Sequence, residues 1–236
     1  MKKMVTYIRG DQMRHKIISQ EMLKGIACIT MLIDHVGAVF FPQYIFLRVI
    51  GRIAFPIYCF LLAEGVFHTR NSKRYLGRLL IGLVLAEVPF ELLFYGEFTG
   101  FHQNVMFTLT LGAGMLLWMK RTGWRIVPLA VCFLVSRYMY ADYGQWGIAL
   151  IWVFGVSGDV PKRWVFQLLG TGGVFYLMNS VPIPVGGIEV PIQMFGLLAM
   201  VPIMMYSGKK TISSKAVQWA FYLFYPVHLA VLLWIR

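Results

Sequence analysis

The chain is expected to fold as an all-α, polytopic transmembrane helical bundle of about nine spans, with its N-terminus in the cytoplasm. Three observations predict this. Of 236 residues, 58% are hydrophobic and only 14% charged, and the mean hydropathy is +0.67, which leaves too little polar surface for a soluble domain. Apolar segments recur along the chain at membrane-spanning length. Finally, 17 of the 22 Lys and Arg residues fall in the N-terminal tail and in the loops that follow the even-numbered spans, the asymmetry of cytoplasmic loops. The net charge of +12 is thus explained by topology. No RNA- or DNA-binding motif accompanies it, so nucleic acid is excluded as a partner.

In chain order, residues 1–20 read as a basic cytoplasmic tail and 21–236 as a single membrane domain. The spans are expected at 22–41, 45–67, 79–95, 105–119, 126–140, 144–156, 165–181, 190–206 and 216–235, with the short sixth either crossing or re-entrant. An odd number of spans places the C-terminus outside. Glu97, Asp142 and Glu189 fall in the opposite loops. A basic stretch before an apolar run resembles a signal peptide, but this run is long, contains Asp34 and His35, and opens a series of spans, so it is expected to be retained. Cys28, Cys59 and Cys132 all lie within spans, which indicates packing residues and neither a disulfide framework nor a metal site.

Ionisable groups inside a span are expensive and face a bundle interior or a water-filled cavity. Lys24 lies near the cytoplasmic end of the first span, and His35 is about 16 Å further along the axis on the same face. The second span runs inward and carries Arg48 and Arg52 near the outer surface. The third runs outward and carries Glu87 and Glu91 in its outer half, at the same i, i+4 spacing. Two arginines and two glutamates are therefore expected at similar depth, either as ion pairs that lock these helices together or as parts of a site. Asn104 and Thr108 open the fourth span, and Tyr225 and His228 lie in the ninth. Pro56, Pro89 and Pro226 free the carbonyls of Arg52, Leu85 and Tyr222, a break tolerated in spans that are buried in protein or line a cavity. Glu64, at the inner end of the second span, reads as an anchor.

At these residues the chain resembles a known family. The segments LKGIACITMLIDHVGAVFFP, LRVIGRIAFPIYCFLLAEGVFHTRN, NVMFTLTLG and FYLFYPVHL together resemble the TraX family of integral membrane proteins. Founding members of that family are associated with N-terminal acetylation of conjugative pilin. The spacing Lys24-x10-His35, with the closing YPVHL, also resembles OafA-like membrane acyltransferases, and this looser resemblance implies acetyl-CoA as the donor.

The residues suit that chemistry. Acyl transfer from a thioester needs a base near neutral pH, for which His35 is the candidate. The developing oxyanion needs a fixed donor, supplied by Arg52 or alternatively Arg48. Asp34 diverges from His35 by about 100 degrees around the helix and serves either another helix or the ring. Glu87 and Glu91 either hold the arginines or orient His35. Lys24, Arg48, Glu91, Asn104, Thr108, Tyr225 and His228 are candidate substrate- or cofactor-binding residues. The cytoplasmic cations Arg70, Lys73, Arg74, Arg78, Lys120 and Arg121 are candidate phosphate contacts by charge. No Gly-x-Ser-x-Gly elbow or outer cysteine is present, which favours direct transfer, with a transient acetyl-histidine as the alternative. The expected function is a multi-pass O- or N-acetyltransferase of a bacterial-type cell membrane. It would move an acetyl group from cytosolic acetyl-CoA to an acceptor on the outer side, a pilin N-terminus or a surface glycan, with membrane lipid around it and no metal. A proton-coupled transporter and a non-catalytic assembly protein are the rival readings.

Overall fold

The first helix, α1 (Gln20–Val39), starts where the Ser19 hydroxyl accepts the Met22 amide at 3.2 Å, supplying a partner to one of the amides that every helix start leaves unpaired. This is a computed structural model, and it describes residues 17–236 apart from 161 and 213. The tail cations Lys2, Lys3, Arg9, Arg14 and Lys16 lie outside the described residues. The buried face of α1 runs through Leu23, Ala27, Met31 and Asp34 at helical spacing.

α2 (Ile45–Gly51) folds back on α1, and α3 (Ala54–His68) follows. The expected second span is therefore two helices, with Arg52 and Ile53 in the turn between them. Pro56 has no amide to offer the Arg52 carbonyl, so the ladder is interrupted there. Gly51 sits where a side chain would overlap the carboxylate of Asp34, and its lack of one lets α2 press onto α1. α3 is buried along most of its length and packs against α7 (Gly144–Val156), whose Ile148, Leu150 and Ile151 are fully enclosed. These two helices form the centre of the bundle.

α4 (Ser72–Phe94) begins well before the expected residue 79, because Asn71 caps it by accepting the Arg74 amide at 2.9 Å. α5 (Val105–Thr122) is capped by Asn104, and α6 (Ile126–Tyr138) leads into α7. α8 (Arg163–Leu177) packs on α7, and α10 (Lys215–Ile235) lies along α4 and α1. Pro89 and Pro226 sit inside helices that continue through them.

The expected eighth span, 190–206, is not one helix. β1 (Pro182–Val185) and β2 (Ile188–Pro191) form an antiparallel hairpin in the register Val185↔Ile188. Gly186 and Gly187 make its two-residue turn with φ of +57° and +85°, the conformation a tight hairpin turn demands. A 3-10 stretch over Ile192–Ala199 and the short α9 (Met200–Met204) follow. Prolines at 182, 184 and 191 withhold amides from any helix across this segment. Among the described residues, three helical segments are long and apolar enough to cross a membrane: Gln20–Val39, Ile45–His68 and Lys215–Ile235. Shorter apolar helices cover Ile126–Tyr138, Gly144–Val156 and Ile192–Met204.

One end of the bundle is stapled by the chain at the start of α1. Ile18 bridges to Tyr206, the Gln20 amide donates to the Lys209 carbonyl at 2.9 Å, and Glu21 accepts both the amide and the hydroxyl of Thr211. At the far end of α3, Glu64 pairs with Arg163 at 2.8 Å, and the Lys120 ammonium donates to the Val66 and Phe67 carbonyls.

Candidate functional site

α1 and α10 bring His35 and His228 together, with His35 Nδ1 and His228 Nε2 2.7 Å apart and the rings nearly parallel. The tautomers follow from a carbonyl. His228 Nδ1 lies 2.7 Å from the Phe224 oxygen, which can only accept, so His228 carries its proton on Nδ1 and, when neutral, a lone pair on Nε2. His35 Nδ1–H then donates to that lone pair. The remaining nitrogen of His35, Nε2, is left as a proton acceptor, and it takes no hydrogen bond among the described residues. Tyr225 flanks both rings and is almost fully buried.

Beside the histidines lies a charge cluster. Asp34 receives Arg52 Nη2 on Oδ1 at 2.6 Å and Arg48 Nη1 on Oδ2 at 2.9 Å. Arg48 Nη1 also donates to the Asp34 carbonyl at 3.0 Å, and Arg52 Nε to the Arg48 carbonyl at 3.1 Å. The expected pairing of the arginines with Glu87 and Glu91 is therefore not what the structure contains. Similar depth does not place groups on facing sides of two helices, and α2 and the turn after it direct Arg48 and Arg52 toward α1. Asp34, pointing away from His35 around the helix, serves these arginines.

The two glutamates have other work. Glu91 is fully buried and accepts the amides of Thr99, Gly100 and His102 at 2.6 to 3.0 Å, together with the Thr99 hydroxyl. It thereby fixes the loop between α4 and α5. Glu87 accepts from the Asn104 side chain and joins the same two helices, while Asn104 caps α5 at Met106. Thr108 is enclosed and donates its hydroxyl to the Asp142 carbonyl. Glu91, Asn104 and Thr108 thus hold the frame and line neither of the cavities described next.

A cavity of about 290 Å³ opens over His35, bordered by Asp34, Arg48, Arg52 and Asp142 and walled by aromatic rings including Phe90 and Tyr143. A second, of about 110 Å³, extends past Lys24 and Tyr225 toward Tyr75 and Tyr222. Met31, Tyr58 and Val105 line both, so these side chains form the partition between them. At this neck the Tyr58 hydroxyl and Cys28 Sγ lie 3.2 Å apart. Lys24 Nζ stands over the Phe221 ring at 5.3 Å, and the Arg78 guanidinium over Tyr222 at 5.2 Å. Both cations rest on aromatic faces and have no carboxylate within ion-pair distance among the described residues, whereas Arg163 and Lys120 are engaged by α3. Among the described residues no group of histidine, cysteine and carboxylate side chains could hold a metal ion.

Asp142 is the site residue that the sequence did not single out. It lies in the connection between α6 and α7, read only as an outer-loop acid, and it borders the larger cavity. Burial pushes its carboxyl up to about 6, against the opposite pull of Arg52.

Comparison with known proteins agrees with these motifs. The family described as "TraX protein" matches residues 19–236. A probable fimbrial assembly protein FimC, serogroup H1, of Dichelobacter nodosus is 34% identical over 229 residues, covering 89% of this chain and 92% of its own. Protein TraX of Escherichia coli is 24% identical over 226 residues, covering 90% of this chain and 85% of its own. No solved structure matches the chain.

Proposed function

The chain belongs to the TraX family, and on that premise we propose that it is an integral membrane acetyltransferase that carries an acetyl group from cytosolic acetyl-CoA to a pilin-type acceptor outside. The observation that carries this reading is the oriented histidine pair. The Phe224 carbonyl sets His228, His228 sets His35 and leaves its Nε2 as the proton acceptor, and His35 lines a cavity that Arg48 and Arg52 also border. Such a pair supplies a base and the group that orients it.

The thioester arm enters along the Lys24 cavity, past Met31 and Tyr58, with Lys24 and Arg78 meeting the donor's phosphates at the cytoplasmic end. The acceptor enters the His35 cavity from the opposite side. His35 Nε2 takes a proton from the acceptor as its nitrogen or oxygen bonds to the thioester carbonyl carbon. The carbon–sulfur bond then breaks, and the departing thiolate takes the proton from His35 to leave as CoA thiol. His228 Nε2 accepts from His35 Nδ1 throughout and stabilises the imidazolium. Arg48 keeps its Nε and Nη2 unengaged among the described residues, so it is better placed than Arg52 to donate to the oxyanion. Asp34 holds both guanidiniums in position.

A second reading, a non-catalytic assembly protein, is favoured by the name of the Dichelobacter nodosus relative. On that reading the histidine pair and the Asp34 cluster serve only to pack α1, α2 and α10. Incubation of detergent-purified protein with labelled acetyl-CoA separates the two. The enzyme is expected to release CoA and to pass label to water or to an added acceptor, and intact donor after prolonged incubation would leave the assembly reading.

A further inference from the structure

We propose that Asp142 is the acceptor-recognising residue of the His35 cavity, binding the ammonium of a primary amine substrate; the inference rests on the transferase reading above. Four observations carry it. First, the position of Asp142 is built. Its amide donates to the Gln103 carbonyl at 2.8 Å, and its carbonyl accepts from the enclosed Thr108 hydroxyl. The loop that supplies Gln103 is itself fixed on Glu91.

Second, the backbone on both sides is strained. Tyr140 and Tyr143 have φ of +47° and +60°, a left-handed conformation that a tyrosine keeps only where its surroundings enforce it. The enforcement at Tyr143 is visible, since its ring stacks on Phe55 at 3.6 Å. Third, the carboxylate is unspent. Oδ1 accepts the Tyr143 amide at 3.0 Å, Oδ2 takes no hydrogen bond among the described residues, and neither arginine is within ion-pair distance because both are committed to Asp34. Fourth, it shares its cavity with His35 and with the rings of Phe55, Phe90, Tyr95 and Tyr143. A carboxylate with no cation in direct contact, beside aromatic faces, suits an ammonium on an apolar chain end.

The proton balance supports two groups. An ammonium must lose one proton before its nitrogen can attack and a second as the amide forms. Asp142 takes the first and releases it to water in the cavity, and His35 takes the second and returns it to the departing thiolate. The net products are the amide, CoA thiol and one proton. A hydroxyl acceptor has a single proton to lose, for which His35 suffices. The elevated carboxyl of Asp142, faced by Arg48, Arg52, Asp34, His35, Tyr95 and Tyr143, is suited to taking up that first proton.

The test compares a short apolar peptide bearing a free α-amine with the same peptide bearing a hydroxyl in place of the amine, on wild type, Asp142→Asn and Asp142→Glu. Asparagine keeps the acceptor for the Tyr143 amide and removes only the charge. The KM for the amine peptide is expected to rise by at least roughly tenfold in Asp142→Asn, the size of one charge-assisted hydrogen bond, and to recover in part in Asp142→Glu. The KM for the hydroxyl peptide is expected to change by much less than that for the amine peptide. Equal loss on both peptides, or no loss on the amine, overturns the inference. If wild type acylates neither peptide, tryptophan fluorescence titrations decide separately. Binding of the amine peptide weakened only by Asp142→Asn upholds Asp142 while removing the transferase reading, and the absence of any Asp142-dependent difference overturns Asp142.

Discussion

Replacing His35 by alanine is expected to lower acetyl transfer by roughly 10² to 10⁴, the usual size of general base catalysis, in a protein that still inserts and still binds CoA. The ring of His35 faces a cavity, so its removal opens space without leaving a buried charge unpaired. His228 keeps its bond to the Phe224 carbonyl and so keeps its place. Replacing His228 by alanine should cost less, because it withdraws the orienting acceptor and leaves the base present. The measurement is label transfer by both variants, with monodispersity in detergent and CoA binding checked on the same preparations. Near wild-type turnover by a well-folded His35→Ala protein would remove the mechanism, and turnover lost only with His228 would move the base to α10.

The second large effect is on stability. Asp34 and Arg52 are each at most 9% exposed, and Asp34 is the carboxylate for both guanidiniums. Asp34→Ala leaves the buried Arg52 and the half-buried Arg48 without the carboxylate that both contact, a loss of about 3 to 5 kcal/mol for breaking a buried pair from one side. Unfolding in detergent, followed by tryptophan fluorescence, should show a large fall for Asp34→Ala. A cycle with Arg52 should show coupling beyond the roughly 0.3 to 0.5 kcal/mol scatter of independent sites. The corresponding cycle between Arg52 and Glu87 should be additive. Coupling of Arg52 to Glu87 without coupling to Asp34 would contradict the arrangement of the cluster.

The contrast between those two cycles shows what the sequence can and cannot carry. Depth along a helix is a linear quantity, and the positions of Lys24, His35, Arg48 and Arg52 along their helices could be read from residue counts. Azimuth between helices is set by packing, which is why arginines at the depth of Glu87 and Glu91 turn instead to Asp34. The boundaries of α7 and α10 were legible because each apolar run has a clear polar or glycine start. Residues 182–206 were not, since hydropathy counts apolar side chains while the prolines and Gly186–Gly187 decide the backbone. The break after Gly51 was signalled by Pro56. His228 was legible as a candidate site residue, but its bond to the Phe224 carbonyl one turn earlier in α10, which fixes both tautomers, is a matter of ring orientation. Asp142 was passed over because nothing in the run of residues 138–144 announces two tyrosines with left-handed backbone.

The central claim is that donor and acceptor meet at His35 from opposite sides of a membrane. The most direct measurement uses proteoliposomes with labelled acetyl-CoA on the side of Lys24 and Arg78 and an amine peptide on the other. Label is expected to appear on the peptide while CoA stays on the donor side, and neither is expected with His35→Ala. Labelling of the peptide only when donor and peptide share one side would contradict transfer across the membrane.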